Sequence, residues 1–160
     1  MGRLAIIALS DFQNWNNQRS LSMGGAAGVI KSILPYLKAE KIFLMGITQD
    51  KKQLYKETQI DSGISIIPVV HIPQKTRIPV RAFAFSSGRR INSVLSVNGI
   101  TSVYSHAEEI SYWISPEFPV LYHMHGSANA LIKSKNIIFR NRFLQGYWDV
   151  IRRKNIQKAS

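Results

Sequence analysis

The stretch GISIIPVVHIP, residues 63–73, decides the fold. From Ile64 to Val70 it is β-branched and apolar almost throughout, whereas a strand with one wet face alternates apolar and polar residues. A run of this kind belongs to a strand covered on both sides. Working outward, Leu4–Leu9 (LAIIAL) and Lys41–Ile47 (KIFLMGI) read the same way, and Ser102–Ser105 and Val120–Met124 read as two shorter strands.

Between these runs the apolar period changes from strand-like to helical. Over Gly24–Lys38 the residues Ile30, Ile33, Leu34 and Leu37 fall at i, i+3, i+4 and i+7, with Pro35 predicted to shorten or kink the helix. Lys51–Thr58 reads as a short polar helix and Ser62–Gly63 as a turn. After the loop HIPQKTRIP a helix is predicted from about 80 to 97, closed by Asn98–Gly99. A short helix follows over His106–Ile114. From about Asn129 the chain reads as helix to roughly Trp148 and then as a basic helix to Ala159, with Gly146 as the expected break.

Buried strands alternating with helices specify a parallel sheet with helices on both faces. The expected fold is therefore α/β: a Rossmann-like, doubly wound, three-layer α/β/α domain over residues 1–160. Ligands of such folds gather beyond the carboxyl ends of the strands, at the switch point of strand order. That rule selects residues 10–28, 71–77, 105–109 and 123–127 as site candidates.

Composition narrows the chemistry. The 160 residues suit one domain, and 45% hydrophobic content is that of a globular protein. Without cysteine, neither a disulfide framework nor a thiolate metal site can form. The apolar run at the N-terminus is too short for a signal peptide and meets Asp11, and no stretch approaches the roughly 18 apolar residues of a membrane span. The expectation is a cytoplasmic protein. The formal charge is +12, with eight Lys or Arg between Lys133 and Lys158 against the single Asp149. Such a patch suits nucleic acid, an anionic membrane surface, a phosphorylated ligand, or simply water.

The first loop, SDFQNWNNQRSLSMGGAAG (residues 10–28), places glycines at a helix start, where backbone N–H groups and the helix dipole favour an anion. Gly24, Gly25 and Gly28 do not form GxGxxG, and a long polar loop separates them from the strand. Asp50 follows them too loosely to serve as a ribose-binding acid. No Gly-Lys-Ser or Gly-Lys-Thr follows the glycines, which excludes a P-loop. Paired glycines also serve plain helix–sheet packing.

PVLYHMHGSANAL (residues 119–131) delivers His123 and His125 to one face of a strand end. A metal would require further ligands, and only Glu108 and Glu109 are carboxylates near that edge. The reading is no metal and no cofactor. His123 fits a histidine held by core hydrogen bonds, and His125, before Gly126, fits a site.

These motifs together resemble the N-terminal domain of family 4 retaining glycosyltransferases, of the GT-B architecture. GGAAGVIKSILPYL after a long first loop resembles that family's glycine pair. SVYSHAEE resembles its fourth strand running into a histidine, PVLYHMHGSANAL its strand ending in His-Gly, and YWDVIRRKNIQKAS the helix leading toward its interdomain region. The order and spacing of the four carry the resemblance over nearly the whole chain.

The resemblance implies a nucleotide-sugar donor and a glycan or lipid-linked acceptor, with metal-independent hexosyl transfer in cell-surface polysaccharide synthesis. Gly24, Gly25 and Gly126 would approach the donor, His125 would lie beside the transferred sugar as the catalytic residue, and His106 would line the acceptor side. Asp11 and Arg19 are acceptor-binding candidates without a family motif. The family's second domain, which grips the nucleotide, is not contained in these residues, so the chain is expected to be inactive alone. The basic tail and Trp148 would suit docking on the anionic inner face of a membrane.

The alternative class is a basic nucleic-acid-binding α/β domain without catalysis, resting on charge and on aromatic–basic neighbours such as Phe139–Arg140 and Trp148–Arg152. No RRM, KH or helix-turn-helix signature accompanies them, so nucleic acid is the less favoured partner.

Overall fold

A computed structural model describes residues 2–15, 25–76, 78–123 and 142–159. Six strands form one sheet: β1 (Arg3–Ile7), β2 (Lys41–Thr48), β3 (Thr58–Asp61), β4 (Ile64–His71), β5 (Ser102–Ser105) and β6 (Val120–Tyr122), in the order β3-β4-β2-β1-β5-β6. All neighbours are parallel except β3, which is antiparallel to β4. The helices are α1 (Gly25–Ile33), α2 (Val80–Gly88), α3 (Ile91–Val97), α4 (Glu108–Ser111) and α5 (Arg142–Ala159). The α/β architecture is as the apolar runs specified.

The central strands divide their side chains between two cores, as the two-residue period of a strand requires. Ala5, Ile7, Phe43, Met45 and Ile67 face the layer holding Ala84, Ile91, Leu95 and Ile110 of α2, α3 and α4. Ile6, Ala8, Leu44 and Ile66 face Ala27 and Ile30 of α1. Since both faces are covered, an alternating strand pattern had no place here. Pro35 ends α1 as predicted, converting its continuation into a 3-10 turn over Leu34–Tyr36. No helix among the described residues is long and apolar enough to cross a membrane.

Four expectations fail. The polar helix over Lys51–Thr58 is instead a 3-10 turn at Lys51–Gln53 followed by the start of β3. β3 and β4 form a hairpin whose two-residue Ser62–Gly63 turn lies between the paired Asp61 and Ile64, with Gly63 at φ 75°. The helix predicted over 80–97 is two helices separated by Arg89 and Arg90, and Gly88, which ends the first, packs against the Trp113 ring at a point where a Cβ would collide with it. The His106–Ile114 helix contracts to Glu108–Ser111. Finally, α5 runs unbroken through Gly146, anchored by the buried Ile151 and Asn155.

Candidate functional site

Strand order reverses at β1, which lies between β2 and β5. The carboxyl ends of β1 and β5 therefore open into the crevice where α/β folds bind ligands. His106, directly after β5, donates its backbone N–H to the Ile7 carbonyl at 2.8 Å, and His123, directly after β6, donates to the Ser105 carbonyl at 2.8 Å. These main-chain bonds extend the ladder past the strand ends and hold both histidines at one edge.

Their rings stack with centroids 4.4 Å apart and planes 23° apart. Tyr104 fixes them from below: its hydroxyl lies 3.1 Å from His123 Nδ1, and its ring meets His106 edge-on at 4.6 Å. Burial pushes the Tyr104 phenol above its ordinary pKa, so it is a neutral hydroxyl near neutral pH. His106 is only 6% exposed and His123 is half-buried. His106 Nε2 is buried, and the imidazole nitrogens of the pair can donate or accept hydrogen bonds.

The first loop reaches the same edge by crossing β2. Ile47 donates its N–H to the Ser10 carbonyl at 3.0 Å, and Phe12 is fully buried. Gly46 makes this possible, since a Cβ there would collide with the Ser10 carbonyl oxygen and the Phe12 ring. Asp11 caps the 3-10 turn Phe12–Asn14, its Oδ1 accepting from the Gln13 N–H at 3.0 Å.

Glu108 and Glu109, the only carboxylates the sequence places near the histidines, are both buried and both paired with arginine. Arg152, on α5, donates from Nε and Nη2 to Glu108 at 3.2–3.3 Å, while Asn155 Nδ2 donates to the Glu108 carbonyl at 2.9 Å. Arg81, at the start of α2, lies 3.2 Å from Glu109 and stacks over the Trp148 ring at 4.6 Å. Burial raises the Glu109 pKa, with the Arg81 charge opposing. The two acids thus anchor α5 and α2 to the start of α4 and do not face an open crevice as a metal ligand or nucleophile would. The sequence signal for this was their scarcity, since a chain with nine acids placed two side by side at a helix start.

Three basic residues of α5, Arg152, Lys154 and Lys158, are likewise engaged within the domain. Beside Arg152, Lys158 Nζ donates to the carbonyls of Tyr112 (2.8 Å) and Ile114 (2.5 Å), and Lys154 lies 4.1 Å over the Tyr112 ring. Trp148 and Arg152, paired in the nucleic-acid reading, each take a partner from within the domain.

Of the sequence-predicted site residues, His106 and Asp11 lie at the same carboxyl edge of the sheet, and Gly25 opens α1. Gly24, Arg19, His125 and Gly126 lie outside the described residues. Gly46, Thr48, Tyr104 and Arg152, which position the edge, were missed.

No protein-family model and no curated protein sequence matches the chain. Among solved structures it is similar to the sucrose-phosphate synthase of Thermosynechococcus elongatus, with a TM-score of 0.62 and 10% sequence identity over 94% of this chain. The chain spans 40% of the length of that protein. At this identity the likeness is one of fold: the α/β fold matches that of a GT-B glycosyltransferase domain.

Proposed function

We propose that the chain is the N-terminal, acceptor-side domain of a family 4 type retaining glycosyltransferase, taking a hexosyl unit from a nucleotide sugar to a glycan or lipid-linked acceptor in cell-surface polysaccharide synthesis. The observation that carries this reading is the histidine cluster: His106 and His123, fixed by Tyr104, stand at the switch point of a fold similar to that of a sucrose-phosphate synthase. In this reading His106 and Asp11 meet acceptor hydroxyls, as Arg19 does. His125 stands beside the transferred sugar, and Gly24, Gly25 and Gly126 approach the donor.

Transfer is metal-independent here, with the diphosphate charge met by helix N-termini and basic side chains. The nucleotide itself is held by a second domain. The protein works in the cytoplasm at the anionic inner face of the membrane, a placement supported by its +12 charge. Incubated with nucleotide sugars and glycan acceptors, these 160 residues are expected to transfer nothing, and measured turnover would overturn the division of labour between two domains. In the two-domain protein, His125→Ala is expected to lower transfer while sparing the fold. An unchanged rate would remove His125 from the chemistry.

A further inference from the structure

A second pocket lies beyond β2, on the α1 face of the sheet. It encloses about 310 Å³ and is lined by Gln13, Asp50, Gln53 and Thr58 around a floor of Ile60 and Ile66. Two of its polar residues, Gln13 and Asp50, meet one buried hydroxyl. Thr48, 1% exposed, has its Oγ1 3.4 Å from Gln13 Oε1 and 3.3 Å from the Asp50 carbonyl, either of which can take its hydrogen, and it accepts from the Asp50 N–H at 3.0 Å. With Gln13 Oε1 facing Thr48, its amide N–H₂ is left to act as a donor. Asp50 Oδ1 accepts from the Lys52 N–H at 2.8 Å, which fixes the carboxylate.

Two features define the ligand. Among the described residues the pocket's lining carries no cation, and the Asp50 carboxylate disfavours an anion such as a phosphate. Two amides, a carboxylate and a hydroxyl around an aliphatic floor instead match a ring with hydroxyls at its edge and C–H groups on its face. Resting on the glycosyltransferase reading above, we propose that this pocket is a remote acceptor subsite for a neutral sugar unit of an extended glycan. Its strand residues lie on β3 and β4, and His106 follows β5, so along the order β3-β4-β2-β1-β5-β6 the subsite lies three to four strand spacings, about 14–19 Å, from the histidine edge. An oligosaccharide bridges that span and a monosaccharide does not. The first loop joins the two sites, since Asp11 caps the turn that carries Gln13.

The test is an NMR titration of the 160-residue chain with glucose and N-acetylglucosamine, and with cellotetraose and chitotetraose. Side-chain amide signals of Gln13 and Gln53 report on the pocket, and ring signals of His106 report on the histidine edge. The proposal expects saturable shifts of both amides, stronger with a tetrasaccharide than with its monosaccharide. In the double variant Gln53→Ala, Thr58→Val the Gln13 amide remains as the reporter, and the affinity it reads should fall roughly fivefold or more, the size of a lost hydrogen bond. Amide shifts that survive the double variant unchanged, or that are as strong with monosaccharides, overturn the extended subsite. A response at His106 with none at the amides overturns it while leaving the glycosyltransferase reading intact, and silence at both positions counts against both.

Discussion

The imidazole rings of His106 and His123 lie stacked 4.4 Å apart on the tips of neighbouring strands, with the Tyr104 hydroxyl 3.1 Å from the second ring. The contact joins β5 to β6 where the main-chain ladder ends. Tyr104→Phe removes the hydroxyl alone and is expected to lower stability by about 1 kcal/mol, the usual net worth of one hydrogen bond. His123→Ala removes bond and stack together and should lower it by about 2 kcal/mol. Urea denaturation checks both, and a silent His123→Ala would show that the ring does not brace the edge.

The Glu108–Arg152 pair is buried, its side chains 6% and 11% exposed. Removing one partner leaves the other charge without compensation, a loss of roughly 3–5 kcal/mol. Arg152→Met should therefore sharply lower the thermal midpoint. Glu108→Gln combined with Arg152→Met should recover much of that loss, because no lone charge stays buried. A double variant no better than Arg152→Met would contradict the assignment.

Glu109 gives a pH dependence of known sign. Burial raises its pKa in the folded state, so folding gains stability below the ordinary glutamate value and loses that contribution as pH rises through the raised one. Glu109→Gln cannot ionise, and Arg81, 40% exposed, remains solvated in the variant. The variant is expected to match or exceed the parent in stability at neutral pH and to decline less between acid and neutral pH. Chemical denaturation across that range measures it, and a variant that is weaker at neutral pH contradicts the sign.

Gly46→Ala tests how the first loop is seated. The added methyl meets the Ser10 carbonyl and the Phe12 ring, so the loop must shift. Overpacking of this kind costs roughly 1–3 kcal/mol. The same variant should move the backbone signals of Asp11 and Gln13, and a variant with parental stability and spectra would show that the loop is held by other means.

What the sequence yielded follows from what each residue reports locally. The five parallel strands were legible because burial on both faces leaves continuous apolar runs such as Ile64–Val70. β3 was not, because its residues are largely exposed at a sheet edge and carry no apolar run, although Ser62–Gly63 between Ile60 and Ile64 was a hairpin signal in plain view. The packing of Gly88 at the break was hidden for another reason: the Trp113 ring it meets is distant in sequence. Gly146 misled in the opposite direction, since tertiary anchoring at Ile151 and Asn155 overrides the weak helix propensity of one glycine. At the site, a strand running into His106 was readable from spacing alone. The Arg152–Glu108 contact was not, because it forms only when α5 returns over α4.

The central claim is that the histidine edge receives a glycan acceptor. It is tested most directly by titrating the chain with neutral oligosaccharides and, separately, with random-sequence DNA at several salt concentrations, following the ring signals of His106 and His123. The account predicts saturable shifts of the His106 ring with the oligosaccharide, little changed by salt, and none with DNA at physiological salt. Binding to DNA with a steep salt slope and no response to any oligosaccharide would contradict it.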